Sequence, residues 1–277
     1  MYTLNCRGKL LPLDIPVVMG ILNATPDSFH TGQLQFSETE WIDLASQMIQ
    51  DGASLIDIGG QSTRPGSIRL SAEDEMARVI PVIRLIHRNF PEVPISVDTY
   101  HAAVAIAAVE AGASLINDIS GGEMDSKMIT TAGALKVPYI CMHMQGTPET
   151  MQIQPFYHQI TLEITDYFIR KSAACLKAGI HDLIIDPGFG FGKTVAHNFQ
   201  LLNELNQLNI LDKPILVGLS RKSMIQKTLG VTSADALNGT TVLHTLALDR
   251  GAHILRTHDV RAAVEAIKLV QATRNAS

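Results

Sequence analysis

Cysteine is scarce in this chain of 277 residues, which contains only three of them. Cys6, Cys141 and Cys175 are far apart and odd in number, so they suit neither a disulfide framework nor a structural zinc site. Disulfides persist in oxidising compartments and are rare in the cytosol. We therefore expect reduced cysteines and a cytoplasmic location.

Long apolar runs and an excess of positive charge are also missing. No run of about 18 or more apolar residues occurs, and residues 1–7 lack the continuous apolar stretch of a signal peptide. Lys and Arg number 22 against 27 Asp and Glu, and the formal net charge is -5. Binding nucleic acid over an extended surface requires a basic stripe. The sequence therefore predicts no membrane insertion, no secretion and no nucleic-acid partner, although a small anionic ligand needs only a few local cations.

Eight short apolar runs, each leading into polar residues, form the main pattern of the chain. They lie at 17–23, 55–60, 95–98, 115–118, 139–143, 183–186, 215–218 and 254–258. Between them, apolar residues recur at the helical period, as at 41–49, 76–86 and 260–270. Continuous β-branched runs are typical of parallel strands that are covered on both sides. We predict an α/β fold, a (β/α)8 TIM barrel, with residues 1–277 as a single domain of the usual size, roughly 250 residues.

A recurring glycine supports this count of strands. Gly52, Gly112, Gly179 and Gly251 each follow a helical pattern and precede an apolar run, and a left-handed glycine ends many helices. The rival architecture is an open doubly wound sheet, which requires a glycine-rich phosphate turn after its first strand. Residues 23–27 form no such turn, so the barrel is favoured.

Two polar stretches marked by Gly and Pro, at about 23–39 and 61–72, are longer than ordinary connections in such a fold. They are candidate active-site loops, or else merely long surface loops.

The polar residues that follow the runs should converge, because parallel barrel strands all end on one face. The acceptors Asp98, Asn117 and Asp186 suit a ligand edge rich in N–H donors, such as an aminopyrimidine-like ring, although any one of them could simply cap the following helix. The cations near the ends of the second, seventh and eighth runs suit an anionic, phosphorylated ligand. These cations are Arg64, Lys222, Arg256 and His258.

The segment 186–194 superficially resembles a nucleotide-binding loop. A Walker A motif needs glycine where Pro187 stands, so a kinase or ATPase is not predicted. We expect its glycines to let the backbone approach a flat ligand, with Phe189 or Phe191 packing on that ligand. The sequence shows no nucleophile elbow and no helix-borne zinc pair, whereas Mg2+ remains possible because it binds through few protein oxygens plus phosphates.

The whole ordered set of motifs resembles the dihydropteroate synthases, the folate-pathway enzymes inhibited by sulfonamides. The matching motifs lie at 19–29, 62–66, 96–99, 117–118, 142–146, 186–193, 220–223 and 256–258. The resemblance implies a transferase that condenses 6-hydroxymethyl-7,8-dihydropterin diphosphate with p-aminobenzoate, giving 7,8-dihydropteroate and pyrophosphate. It also implies Mg2+ and a homodimer formed through outer helices.

The resemblance further implies a role for each matching residue. The catalytic group would be Arg64, Asp98, Lys222, Arg256 and His258, and the pterin would be held by Asp98, Asn117, Met142, Asp186 and Lys222. The diphosphate would be bound by Arg64, Arg256 and His258, and the p-aminobenzoate pocket would be bordered by Thr63, Pro65, Phe189 and Ser223. The ligand of Mg2+ would be Asn23.

Two positions depart from the family pattern. Thr31 stands where the family usually has Asp, and Gln61 stands where it usually has Glu. Both changes remove a negative charge near the diphosphate, so we expect them to affect loop closure and rate rather than pterin recognition. The alternatives are a non-catalytic pterin-binding paralogue or a pterin-dependent methyltransferase, which usually works with a cobalamin module that this chain lacks.

Overall fold

The computed structural model describes residues 2–25, 37–62 and 69–276. The chain opens with an antiparallel hairpin of β1 (Thr3–Cys6) and β2 (Lys9–Pro12). Leu4, Cys6 and Leu13 are buried against the first residues of the strands that follow. The hairpin therefore closes the amino-terminal end of the barrel, a feature that the sequence analysis does not predict.

The eight predicted runs form one parallel sheet. Its strands are β3 (Val17–Asn23), β4 (Leu55–Gly59), β5 (Ile95–Asp98), β6 (Leu115–Asp118), β7 (Tyr139–Met142), β8 (Leu183–Asp186), β9 (Leu216–Val217) and β10 (Ile254–Thr257). The strand order is β8-β7-β6-β5-β4-β3-β10-β9, and a parallel bridge from Ile185 to Ile215 joins the two ends. The predicted single-domain (β/α)8 barrel is confirmed.

Helices cover the outside of the barrel. They are α1 (Glu38–Gln50), α2 (Ala72–Asn89), α3 (Ala102–Ala111), α4 (Met128–Leu135), α5 (Ile160–Lys177), α6 (Val195–Asn203), α7 (Ser223–Leu229), α8 (Leu237–Asp249) and α9 (Val260–Asn275), with a 3-10 helix at Leu205–Leu211. The three segments with apolar periodicity fall in α1, α2 and α9, as predicted. No helix in the described part of the chain is both long and apolar enough to cross a membrane.

The four recurring glycines adopt the conformation expected of them. Gly52, Gly112, Gly179 and Gly251 have φ of 101°, 123°, 89° and 96°. A residue with a side chain is strained at such φ values, so glycine is favoured where each helix turns into the next strand. These turns lie at the amino-terminal face of the barrel and leave the opposite face to the polar residues.

Candidate active site

A pocket of about 330 Å³ lies at the carboxyl ends of the barrel strands. Seven of the predicted site residues line it together: Asp98, Asn117, Met142, Asp186, Phe189, Lys222 and Arg256. Two of the remaining lining residues, Gly188 and Phe191, belong to the segment 186–194 that was expected to approach a flat ligand. The other two, Ile119 and Gly218, were not predicted. Backbone and apolar side chains of this kind carry no signal in the sequence beyond their position after a strand.

Arg256 is held at one side of this pocket by two carboxylates. Its Nε donates to Asp57 Oδ2 at 2.6 Å, and its Nη2 donates to Asp98 Oδ2 at 2.7 Å. Asn117 Nδ2 donates to the same oxygen of Asp57 at 3.0 Å. Burial raises the pKa of Asp98, Arg256 opposes this effect, and the charges of Asp57 and Asp118 add to it. Sequence reasoning missed Asp57, which lies inside an apolar run.

Asp186 and Lys222 face the pocket from β8 and from the start of α7. Asp186 Oδ1 accepts a hydrogen bond from the backbone N–H of Gly188 at 2.8 Å, and burial raises the pKa of this carboxyl group. Asp186 therefore caps its own turn and also lines the pocket. The ammonium group of Lys222 lies 4.2 Å from the ring centroid of Phe191, and burial, followed by the charge of Arg256, lowers its pKa to about 8.

The glycines after Asp186 serve the packing of two loops more than the approach of a ligand. A β-carbon on Gly188 or Gly192 would overlap the backbone carbonyl oxygen of His143 or Gln145, respectively. Gly188 lines the pocket, but Gly190 and Gly192 do not. The expectation that these glycines make room for a flat ligand agrees with the place of Gly188 and stays a prediction for Gly190 and Gly192.

Lys193 fastens the same two loops together. Its buried ammonium group donates to the carbonyl oxygens of Gly188 at 2.9 Å and Phe191 at 3.0 Å, and it lies 3.0 Å from Nδ1 of His143. Burial lowers the pKa of Lys193 to about 7. This lysine is used inside the protein, which agrees with the rejection of a Walker A loop.

His258 and Ser223 lie beside the pocket without lining it. The Nδ1 atom of His258 is 3.0 Å from the hydroxyl oxygen of Ser220, and Ser223 is the exposed first residue of α7. The surrounding protein atoms, followed by the charge of Arg256, lower the pKa of His258. The imidazole is therefore neutral near about pH 7 in the ligand-free protein, and its expected contact with a diphosphate stays a prediction.

The remaining predicted residues belong to the first two loops. Asn23 is the half-buried last residue of β3, on the same face as the pocket. Thr63, Arg64, Pro65 and Thr31 lie outside the described residues, as do most of the two long loops. Gln61 is described: its Oε1 accepts a hydrogen bond from the backbone N–H of Leu70 at 3.1 Å, and it also donates to the hydroxyl group of Tyr100.

Comparison with known proteins agrees with this geometry. The family model of the pterin binding enzymes matches residues 19–258. The dihydropteroate synthases of Escherichia coli (strain K12) and Haemophilus influenzae are 44% and 42% identical to this chain. Each alignment covers 99% of this chain, and the two alignments cover 97% and 99% of the relatives.

Solved structures give the same result. Dihydropteroate synthase from Yersinia pestis, in a sulfonamide drug complex, has a TM-score of 0.94 and 43% identity, covering 99% of this chain and 100% of that one. The enzyme from Xanthomonas albilineans in complex with 7,8-dihydropteroate has a TM-score of 0.89 and 38% identity, covering 99% of both chains. With its fold and nearly its whole length matched, this chain belongs to the pterin binding enzymes and, among them, to the dihydropteroate synthase family.

Proposed function

We propose that this protein condenses 6-hydroxymethyl-7,8-dihydropterin diphosphate with p-aminobenzoate to give 7,8-dihydropteroate and pyrophosphate. The observation that carries the proposal is that acceptors and cations, far apart in sequence, line one pocket at the carboxyl ends of the strands. Relatives support the choice of substrates, since the enzyme from Xanthomonas albilineans has been solved with 4-aminobenzoic acid and with 7,8-dihydropteroate.

The acceptor set matches the donor edge of a reduced pterin. A pterin presents its 2-amino group and its ring N–H groups as donors, and an ionised Asp98 or Asp186 only accepts. Hydrogen bonds to a buried carboxylate are strong and directional, so the two residues can select the donor edge. Met142, which lines the same pocket, offers an apolar surface to the ring.

The reaction breaks the bond between the pterin methylene carbon and the diphosphate oxygen. The bonding electrons leave with pyrophosphate, the amine nitrogen of p-aminobenzoate bonds to the carbon, and the amine loses one proton. Asp98 and Asp186 stabilise positive charge that develops on the pterin and its methylene group. We assign stabilisation of the leaving group to Arg256, together with Arg64 and His258, whose imidazole gains a proton more readily beside a bound anion.

We assign the binding of Mg2+ to Asn23. Among the described residues, no group of three or more His, Cys, Asp or Glu could hold a metal ion. A single amide oxygen nevertheless fits Mg2+, which usually keeps several waters and takes its other ligands from substrate phosphates. When bound, the ion would neutralise charge on the diphosphate and make pyrophosphate a better leaving group.

We assign the p-aminobenzoate site to Phe189 and Ser223, together with Thr63 and Pro65 of the second loop. Phe189 lines the pocket, and Ser223 directly follows Lys222. A site bordered by two loops and a diphosphate is complete only after the pterin substrate binds. We therefore expect ordered binding, in which p-aminobenzoate or a sulfonamide binds tightly only with a pterin, pyrophosphate and Mg2+ present.

A homodimer in the cytoplasm completes the proposal. Exposed apolar side chains lie on α7 and α8, two outer helices that pack against each other: Leu229, Leu237, Val242 and Leu246. Exposed apolar surface of this kind is typical of subunit contacts. All three cysteines are free and buried, which agrees with a reducing compartment.

Pyrophosphate release tests the proposed function. We expect release only when both substrates and Mg2+ are present, and we expect a chelator to stop it. Tight pterin binding without release would instead identify a non-catalytic pterin-binding protein. Transfer of a methyl group from a reduced folate to a corrinoid would identify a pterin-dependent methyltransferase.

A further inference from the structure

Asp57 is a fully buried carboxylate beneath the pocket. It lies in β4, where its register partners are Ile21 on β3 and Ser96 on β5. Asp98 lies two residues further along β5, at the end of that strand. The described residues that line the pocket include Asp98 but not Asp57. Asp57 therefore lies one layer below the groups that border the ligand space.

Among the described residues, Asp57 has two hydrogen-bond partners, and both line the pocket. Its Oδ2 atom accepts from Arg256 Nε at 2.6 Å and from Asn117 Nδ2 at 3.0 Å. Its other oxygen, Oδ1, is buried and has no hydrogen-bond partner among the described residues. A buried acceptor without a partner destabilises the folded state. Stability alone therefore does not explain a carboxylate at this position, whereas its two contacts with site residues do.

A carboxylate at this position determines which group of Asn117 faces the ligand. A primary amide can present either its oxygen or its NH2 group, and an ionised carboxylate only accepts hydrogen bonds. Because Asp57 takes the Nδ2 atom of Asn117, the side-chain oxygen of Asn117 is left for the pocket. The pocket then presents a third acceptor beside Asp98 and Asp186.

Asp57 also fixes the plane of the Arg256 guanidinium group. The Nε atom of Arg256 donates to Asp57 and its Nη2 atom donates to Asp98, so two carboxylates hold one side of the group. Without Asp57, the hydrogen bonds of Arg256 to described residues would be reduced to the one with Asp98, and the guanidinium plane could turn about it.

We propose that Asp57 is a positioning residue that sets ligand selectivity in the pterin site, by turning the acceptor of Asn117 towards the ligand and by holding Arg256 beside Asp98. The inference rests on the proposed function, because it assumes that the ligand presents N–H donors. Asp57 itself touches neither the ligand nor the reacting atoms.

The test compares pterin with lumazine, which carries an oxygen in place of the 2-amino group, by calorimetry. The wild-type protein should prefer pterin, since a third acceptor favours a donor ligand. Asp57→Asn can keep its amide oxygen on both Arg256 and Asn117. The selectivity test therefore uses Asp57→Ser, whose shorter side chain leaves Asn117 able to turn its NH2 group to the ligand. The preference for pterin over lumazine should fall about tenfold or more. Ser96→Ala, at the buried register partner of Asp57 whose hydroxyl group has no hydrogen-bond partner among the described residues, should leave the preference unchanged.

The pH dependence of pterin binding is a second measurement, which loss of packing alone would not change. The charge of Asp57 raises the pKa of Asp98, which also faces Arg256, Lys222 and Asp118. Replacing Asp57 by Asn removes one negative charge, so the pKa of Asp98 should fall. The acidic limb of pterin binding should therefore move to lower pH in Asp57→Asn and stay in place in Ser96→Ala.

Asp57→Asn should fold, because Asp98 still pairs with Arg256 when the charge of Asp57 is gone. The folding of Asp57→Ser, the variant of the selectivity test, is checked by thermal melting. An unchanged pterin preference in folded Asp57→Ser and an unchanged acidic limb in folded Asp57→Asn would overturn the inference and leave the proposed function intact. A wild-type protein that binds no pterin would overturn both.

Discussion

At the scale of single residues, the site depends on charges that burial makes sensitive to their partners. Asp186 accepts a hydrogen bond from the backbone N–H of Gly188 and faces Lys222, and both contacts lower the pKa of its carboxyl group. Burial has the larger effect and raises that pKa. Lys222 itself has a pKa lowered to about 8. The ionised carboxylate of Asp186 is therefore poorly solvated, and a hydrogen bond donated by a ligand stabilises it strongly.

Asp186→Asn should therefore weaken pterin binding while preserving the fold. The change replaces an acceptor of charge-assisted hydrogen bonds by an amide and should lower pterin affinity by about 2 kcal/mol, roughly thirtyfold. Calorimetry with pterin measures the effect, and thermal melting checks the fold. Asp166→Asn, on the exposed outer surface of α5, serves as the matched control. Equal pterin affinity in folded Asp186→Asn and wild-type protein would remove Asp186 from the site.

Site residues near the ends of strands could be predicted from the sequence, whereas the residues that hold them in position could not. Asp98 is the last residue of β5 and Asn117 the last but one of β6, where the barrel rule places functional groups. Asp57 could not be recognised, because its role depends on Arg256, 199 residues away in the chain. The lowered pKa of His258 could not be predicted either, since it follows from the protein atoms around the imidazole and from the nearby charge of Arg256.

At the scale of elements, the wall of the pocket is built by the loops after β7 and β8. Lys193 joins them through the carbonyl oxygens of Gly188 and Phe191 and through the imidazole of His143. Phe189 and Phe191, which line the pocket, lie in the loop after β8. Their positions therefore depend on a lysine that does not itself line the pocket.

Lys193→Met should lower thermal stability and weaken arylamine binding. The change leaves buried carbonyl groups without donors, at a cost of about 1 to 3 kcal/mol in unfolding free energy. We expect a lower melting temperature and a raised KM for p-aminobenzoate, with a smaller change in pterin affinity. Lys177→Met, at the exposed end of α5, is the control. A variant with wild-type melting temperature and KM would contradict the role of Lys193 in joining the loops.

The first turn of α2 contains a buried acid whose titration affects stability. Burial raises the pKa of Glu75 to about 8. Because the folded protein holds this proton more tightly than the unfolded chain, unfolding free energy should fall as pH rises from about 5 to about 8. Glu75→Gln should reduce that fall, whereas Glu73→Gln, exposed in the same turn, should not. Denaturant titrations across this range measure both, and parallel curves for wild type and Glu75→Gln would refute the prediction.

Elements with regular patterns were predictable from sequence, and elements defined by tertiary contacts were not. The barrel strands and the periodic helices α1, α2 and α9 follow the apolar pattern of the chain. The hairpin of β1 and β2 has only short strands, and it is fixed by the burial of Leu4 and Cys6 against the barrel end. Local sequence does not encode that contact.

At the scale of the whole molecule, the hairpin closes one end of the barrel and the pocket opens at the other. Arg7 secures the hairpin by donating to the backbone oxygen of Val109, at the end of α3, at 2.7 Å. Substrates therefore reach the site from the carboxyl-terminal face, and the outer helices are left free to contact another subunit.

Val242→Glu should convert the proposed dimer to monomers. Val242 is 51% exposed on α8, and a carboxylate there would be buried without a partner in a subunit contact through α7 and α8. Leu176→Glu, on the distant helix α5, should remain dimeric. Sedimentation velocity distinguishes the two outcomes. A dimeric Val242→Glu protein, or a monomeric wild type, would show that this surface does not form the contact.

The most direct test of the account is identification of the product by mass spectrometry, in a mixture of pterin diphosphate, p-aminobenzoate, Mg2+ and purified protein. We expect 7,8-dihydropteroate and an equal amount of pyrophosphate from the wild-type protein. We expect the same from Asp166→Asn, and much less of both from Asp186→Asn. Absence of dihydropteroate from a wild-type protein that binds the pterin substrate would contradict the account, as would full activity in Asp186→Asn.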